Sequence, residues 1–486
     1  MSTLPHRYCP ALLTDLYQLT MAHGYWKTGV LDKEAVFHLF FRKHPFESGY
    51  GIACGLADAI DYLRQLRFEE EEIAYLATIT GSDGRPIFET GFLDYLRKLE
   101  WTCDVDGIPE GTAVFREEPL LRIQGPLLHC QLVETALLNV LNYQTLIATK
   151  ASRVCLAAEG ELVLEFGLRR AQGVDGALAG SRAAYVGGCA ATSNVLAGKL
   201  FGIPVRGTHA HSWVMSFDSE QAAFDTYAEA SPNNCVFLVD TYDTLEGIRR
   251  AIATGRKLRE QGHELLGIRL DSGDLAYFSI EARRMLDEAG FEKAAIVASN
   301  DLDEHIIASL KTQGARINQW GVGTKLITAY DQPALGGVYK LSAIRDPGEA
   351  WQHKVKLSEQ AAKISTPGIQ QVRRFSMDGN FIGDMIYSID PTGEPERTIV
   401  DRLDSTRRKQ FPENACSEDL LVPIFRKGKL VYEQPPIASI RERAQAQLAM
   451  LHPGIKRFLN PHEYPVGLSP SLHELRTKLI REARGT

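Results

Sequence analysis

NCVFLVDTYDTLEGIRRAIATGRKLREQGHELLGIRLDSGDL, residues 234–275, reads as one complete strand–helix–strand unit. Val236–Val239 and Leu265–Leu270 are short, β-branched, apolar runs, and Thr244–Gln261 between them has helical texture. Each run ends at once in a polar motif, DTYDT or RLDSGDL. A helix of this length returns the chain to the end of the sheet where it started, so the two strands should pair in parallel.

Moving outward from this unit, the pattern recurs. The runs Leu162–Phe166, Ile203–Val205, Ala294–Val297 and Ile317–Val322 lead into FGLRRAQG, RGTHAHS, SNDLDE and GVGTKL, and Ile280–Ala289 and Glu304–Thr312 read as intervening helices. Six such units with no G-x-G-x-x-G after the first strand predict an irregular parallel α/β barrel, closed or partly closed, rather than a dinucleotide-binding sheet. In a barrel every strand points its C-terminus to the same end. The six polar motifs are therefore expected to converge on one pocket.

The flanks read differently. Residues 1–125 mix an amphipathic helix at Thr14–Trp26, a strand at Ala35–Pro45, helices over Leu56–Leu66, after Glu69–Glu72 and at Phe92–Leu99, then short strands broken by Gly and Pro. A long helix runs from Leu128 to about Ala158. Beyond Leu326, GGVYKLSAI, WQHKVKLS, QQVRRFSM and DMIYSID alternate as antiparallel strands do, and Ile437–Met450 is a helix. The expected organisation is an N-terminal mixed α+β part (1–125), a barrel (126–334) and a C-terminal part (335–486) packing with the first.

Composition narrows the function. The chain has 486 residues, 44% hydrophobic and 24% charged, with a formal net charge of −7; this suits a globular enzyme, and no basic stripe supports nucleic-acid binding. Eight cysteines are scattered without a C-x-x-C pair, no signal-peptide core opens the chain, and no apolar run is long enough to span a bilayer. A reduced, cytoplasmic protein with no membrane association is expected.

The strand-end motifs carry particular chemistry. Gly321, Gly323, Thr324 and Ser299 offer backbone approach and hydroxyls to a phosphate. Asp271 and Asp274 after Arg269, with Asp240 and Asp243 from the preceding strand, can accept ribose hydroxyls or hold hydrated magnesium, while Arg269 can stabilise a leaving oxyanion. Phe166 sets an aromatic face beside Arg169 and Arg170. His209 and His211 are nucleophile, base or ligand candidates. Aromatics for a flat base, acids for ribose and Gly/Ser/Thr for phosphates describe a nucleotide-forming site.

TDLYQLTMAHGYW, EFGLRRAQG, GTHAHSW, RLDSGDL, SNDLDE and GVGTKL, with LLVPIFRKGKLVY and NPHEYPVGLS in the tail, resemble in this order the nicotinate phosphoribosyltransferase family. That resemblance implies a type II phosphoribosyltransferase-like barrel in a homodimer with shared active sites, and the condensation of nicotinate with phosphoribosyl pyrophosphate in NAD salvage. It implies Mg²⁺, and ATP as a co-substrate coupled through a phosphohistidine at His211. Asp271 and Arg269 would be catalytic. Tyr17 and Phe166 would sandwich the pyridine ring, with Tyr17 coming from the second subunit in relatives. Arg169, Thr208, Asp243, Ser299, Gly323 and Thr324 would bind substrate, with Asp243 and Asp271 near ribose and magnesium. Related nicotinamide-using enzymes carry an aspartate just after the Gly-Thr; His209 stands there in this chain, which favours an anionic base. Two other readings are a metal-dependent hydrolase on the same barrel using His209, His211 and Asp271, and a catalytically silent nucleotide-binding regulator.

Overall fold

A computed structural model of the chain describes residues 10–390 and 396–485. These residues form two compact units, Lys150–Pro333 and the remainder, in which residues before 150 and after 333 are combined.

The Lys150–Pro333 unit is built on a six-stranded parallel sheet: β1 (Leu162–Glu165), β2 (Ala191–Thr192), β3 (Val236–Leu238), β4 (Gly267–Leu270), β5 (Ala295–Ala298) and β6 (Gln319–Val322). Their order across the sheet is β2-β1-β6-β5-β4-β3. Every neighbouring pair is parallel, as in Ile296 opposite Ile268 and Trp320 opposite Val163. Phe237, Leu238, Ile268, Leu270, Ile296, Trp320 and Val322 are fully buried, as expected of strands covered on both faces. Helices α1 (Gly173–Val186), α2 (Val195–Phe201), α3 (His211–Met215), α4 (Glu220–Ala230), α5 (Thr244–Glu260), α6 (Leu275–Glu288) and α7 (Glu304–Thr312) connect the strands, and α8 (Thr324–Ile327) follows the last of them.

The ladder is an open arc at one point. The expected run Ile203–Val205 makes a single parallel bridge, Val205 to Thr192. Pro204 at its centre has no N–H to donate, and Gly202 immediately before it is left-handed (φ 70°), so a longer ladder cannot form. Among the described residues no backbone ladder joins this edge to β3. The two-residue β2, too short and alanine-rich to read from sequence, takes the place beside β1.

The other unit has one seven-stranded sheet in which Glu34–Phe41 lies between Leu121–Pro126 and Gly337–Arg345, so early and late chain segments share one ladder. A six-stranded sheet includes Gln370–Met377 paired with Asn380–Ser388. WQHKVKLS contributes only Gln352–His353. The expected long helix is two helices, Leu127–Leu132 and Glu134–Ala157. The division expected at residue 126 falls instead between Thr149 and Lys150. The reason is local: the hydroxyls of Thr145 and Thr149 accept the backbone N–H groups of Cys54 and Ile52 (3.2 and 2.9 Å), tying this helix as far as Thr149 to the early segments.

Candidate active site

Three strand-end aspartates have a helical duty. Asp243 caps α5 through Glu246 N (2.8 Å), Asp274 caps α6 through Tyr277 N (3.0 Å) and Asp303 caps α7 through His305 N and Ile306 N. Each accepts from an otherwise orphaned N–H in the first helical turn. The expectation that Asp243 faces a ribose therefore meets a simpler local role. In DTYD and DSGD the first acid, Asp240 or Asp271, is the one left for other chemistry.

Seven of the expected site residues line one cavity of about 230 Å³ at the strand ends: Phe166, Arg169, Arg269, Asp271, Ser299, Gly323 and Thr324, together with Arg170, Asn300, Asp301 and Gly321. Gly321 is required by Phe166, whose Cε2 would lie 2.6 Å from a Cβ at that position. A Cβ at Gly323 would come within 3.1 Å of the Phe166 carbonyl oxygen. Asn300 holds φ at 124° in the wall, a strained conformation of the kind found at binding sites.

A polar chain joins the cavity to the histidine segment. Arg269 Nη1 donates to the Thr208 hydroxyl, and the Ser299 hydroxyl donates to Asp271 Oδ1. Asp240 Oδ2 accepts from Asp271 N (2.9 Å) and the Ser272 hydroxyl (2.7 Å), which fixes the turn after β4. His211, the first residue of α3, has Nε2 3.8 Å from Asp271 Oδ2 and Nδ1 hydrogen-bonded to the Thr241 hydroxyl at 3.1 Å. Burial, and then repulsion by Arg169, lower the Arg269 pKa against the pull of Asp271 and Asp240. Arg269 Nε and Asp240 Oδ1 are buried polar atoms with no protein partner among the described residues.

His209 has a different place. Its ring packs against Phe224, Tyr227 and Phe237. Nδ1 donates to the Ala210 carbonyl (3.4 Å) and Nε2 accepts from Leu238 N (3.3 Å), linking the segment after Val205 to β3 across the open edge of the sheet. With Nε2 so occupied, His209 is no partner for His211 and Asp271 in a metal set, and among the described residues no cluster of three His, Cys, Asp or Glu can hold a metal. The hydrolase reading loses its ligands. His209 likewise does not line the cavity, whereas Arg269 does.

Burial lowers the His209 pKa to about 4. As pH falls through about 6.5 the unfolded chain takes up this proton and the folded chain does not, so stability is full above that pH and is lost down to about 4. Relative to His209→Gln, whose amide can still accept from Leu238 N, the parent should lose up to about 1.4 kcal/mol per pH unit in that window. Denaturant unfolding at pH 7, 6 and 5 checks this; parallel pH slopes for parent and variant would contradict it.

Several contributors escaped the sequence reading. Glu165, buried at the end of β1, accepts from Gly167 N, Ser181 Oγ (2.8 Å) and Thr192 Oγ1 (2.6 Å) and so anchors the turn carrying Phe166. The signal available was a carboxylate at the last position of an apolar strand. Behind the two glycine- and serine-bearing turns, Lys325 pairs with Asp303 (2.7 Å), and Glu304 pairs with Lys150 and Arg153 (2.7 Å each). Tyr17 lies on helix Leu16–Thr28 of the other unit, with 48% of its surface exposed.

The arrangement can hold an anionic planar ring against Phe166 and the arginines, a phosphate at the glycine turns, and a nucleophilic imidazole beside Asp271. The chain is also similar to known proteins over most of its length. Family models described as the nicotinate phosphoribosyltransferase N-terminal domain, the nicotinate phosphoribosyltransferase family and its C-terminal domain match residues 12–142, 162–367 and 369–476. The chain is 46% identical over 484 residues to nicotinate phosphoribosyltransferase of Bacillus subtilis, covering 97% of each. It is 38% identical over 531 residues to nicotinate phosphoribosyltransferase 1 of Arabidopsis thaliana, covering 95% of this chain and 92% of that one. The crystal structure of human nicotinic acid phosphoribosyltransferase superposes with a TM-score of 0.83 at 33% identity, covering 96% of this chain and all of that one.

Proposed function

The chain belongs to the nicotinate phosphoribosyltransferase family, and from that premise we propose how its residues divide the reaction. The enzyme makes nicotinate mononucleotide from nicotinate and phosphoribosyl pyrophosphate, the salvage step toward NAD. Nicotinate lies on Phe166 with its carboxylate on Arg269 and Thr208. Its ring nitrogen attacks C1 of the ribose as the C1–O bond to pyrophosphate breaks. Arg169 or Arg170 offsets the charge on the departing pyrophosphate. Gly323, Thr324 and Ser299 hold the 5-phosphate, and Asp271 faces the ribose. Asp243 keeps one carboxylate oxygen for solvent or substrate while the other caps its helix.

ATP enters as a co-substrate in this reading. His211 Nε2 attacks the terminal phosphorus of ATP, the bond to ADP breaks, and the phosphoryl group is later lost to water. Thr241 on Nδ1 holds the ring so that Nε2 is the free nucleophile. A phosphate on that nitrogen stands next to Asp271 and the cavity, where it can bias pyrophosphate binding and release.

Magnesium fits the residues present. Asp240 Oδ1 is an orphaned buried carboxylate oxygen next to Asp271, and Mg²⁺ is commonly held by one or two carboxylates, water and substrate phosphates rather than by a full protein cage. When bound it neutralises phosphate charge. The strands act as an irregular type II phosphoribosyltransferase barrel, with the His209 imidazole spanning the gap that the backbone leaves. Tyr17 from a second copy closes the base sandwich, so the working enzyme is a homodimer.

The observation that carries the choice of base is the half-buried Arg269 guanidinium at the cavity, its buried Nε unpartnered and its Nη1 on Thr208. A guanidinium with a spare buried donor suits a carboxylate, not a carboxamide. Nicotinate, nicotinamide and quinolinate offered in parallel with phosphoribosyl pyrophosphate, with and without ATP, test the reading. Nicotinate mononucleotide should form from nicotinate, faster with ATP. Preference for nicotinamide, or no product from nicotinate, overturns it.

A further inference from the structure

Away from the strand-end cavity, the unit formed by early and late segments has its own partly open cavity of about 90 Å³, lined in part by Arg42, His44, Arg116, Glu117 and Arg402. Its charges do not balance. Arg402 donates to Glu117 Oε1 (2.9 Å) and to the Ile364 and Ala362 carbonyls, and both side chains of the pair are nearly buried. Arg476 stands behind Arg402, 6% exposed, and gives its donors to the carbonyls of Ser365, Arg402 and Ile364. Arg42 makes no ion pair among the described residues and lies 5.9 Å from the Phe40 ring centroid. Arg116 is neutralised by Glu463 at the half-exposed rim. Asp401, also in the wall, has Oδ1 taken by the N–H groups of Leu403 and Asp404.

The site thus sets three guanidinium groups, Arg42, Arg402 and Arg476, against the two carboxylates of Glu117 and Asp401, an excess of one positive charge. The strain is visible in the proton equilibria: burial and then repulsion by Arg402 lower Arg476 to about 10, and burial, opposed by Glu117 and reinforced by Arg42 and Arg116, lowers Arg402. Glu117 itself is held at a left-handed φ of 70° to reach the group. His44 accepts from Arg116 N on Nε2 (3.1 Å), so its neutral ring carries the proton on Nδ1 and adds a donor to the wall. Uncompensated buried charge is costly, and arginine forks match the geometry of oxyanions.

We propose that this cavity is a binding site for a small tetrahedral oxyanion, of the size of inorganic phosphate, held by Arg42 and Arg402 over the Arg476 charge. An anion would offset the excess positive charge, and the volume admits one tetrahedral group. Glu117 in this account competes with the ligand for Arg402.

That competition gives the test its sign. The full-length protein is titrated with inorganic phosphate, with sulfate as a second oxyanion, and binding is read by calorimetry and by the ligand-induced rise in melting temperature. The site near Phe166 is untouched by the variants, so its contribution is common to all of them. Arg42→Gln removes a cation that makes no ion pair and should fold normally; its phosphate affinity should fall about tenfold, as for loss of a charge-assisted hydrogen bond, and Arg42→Lys should recover most of it. Glu117→Gln should bind phosphate several-fold more tightly than the parent. If the arginines form only an internal ion-pair lattice, Arg42→Gln leaves phosphate binding unchanged, or Glu117→Gln weakens it; either result overturns the proposal. Should Glu117→Gln fail to fold, the Arg42 pair decides the matter alone.

Discussion

His211→Ala is expected to reduce ATP hydrolysis to background and to abolish incorporation of acid-labile phosphate from ATP, while ribosyl transfer measured without ATP is nearly unchanged. The asymmetry follows from the geometry. His211 is not among the residues lining the cavity; it reaches it through Asp271, 3.8 Å from Nε2, and its other nitrogen is held by Thr241. An imidazole placed there contributes little to binding nicotinate but can carry a phosphoryl group to the edge of the pyrophosphate position. If that phosphoryl group acts as an effector of substrate binding, its loss should cost a coupling free energy of about 1–3 kcal/mol, or roughly 5- to 150-fold in the ATP-stimulated affinity for phosphoribosyl pyrophosphate. Steady-state kinetics with and without ATP, beside phosphate labelling of the intact chain, separate the two effects. ATP labelling of His211→Ala at the parental level would remove His211 from the nucleophile's role.

The same geometry explains which parts of the site were legible in the sequence. Periodicity identified five of the parallel strands, because strands buried on both faces are written as compact apolar runs, and it placed seven expected residues around one cavity. It failed where one residue type serves two purposes. Asp243, Asp274 and Asp303 look like Asp240 and Asp271 in composition, yet each also caps the first turn of a helix. In both D-x-x-D spacings after a strand the second acid caps the helix that follows. His209 and His211 are two residues apart, but the chain between them turns from the aromatic packing around Phe237 to the start of α3, and only the second faces Asp271. Pro204 should have warned against a full strand at Ile203–Val205, and the missing ladder there is why His209 is needed as a link. The anchoring by Glu165 was illegible because its partners, Ser181 and Thr192, come from other elements.

Arg269→Gln is expected to lower kcat/KM for nicotinate by about 10²–10⁴, the cost of about 3–5 kcal/mol typical of removing one member of a buried charge pair. The effect should be selective. The guanidinium sits in β4, where the parallel register with β3 and β5 fixes its backbone, and its Nη1 is held by Thr208, so the group is positioned before substrate arrives. Its bare Nε is free to meet an anionic oxygen, which in the proposed pose is the carboxylate on the ring. Nicotinamide offers no such charge and leaves the cation unpaired, so the parent discriminates against it through the cost of burying an uncompensated donor. Without the guanidinium that cost disappears, and nicotinamide should be used no worse, or better, by the variant. Arg269→Lys keeps the charge beside Asp271 and Asp240 but loses the fork to Thr208; it should lie between parent and glutamine variant, because a point charge cannot serve Thr208 and a carboxylate in the same geometry. The decisive quantity is the ratio of kcat/KM for nicotinate to that for nicotinamide, measured for all three proteins with circular dichroism to confirm the fold. A ratio that stays constant while both activities fall would mean that Arg269 acts on the ribose or pyrophosphate, and that the base is chosen elsewhere.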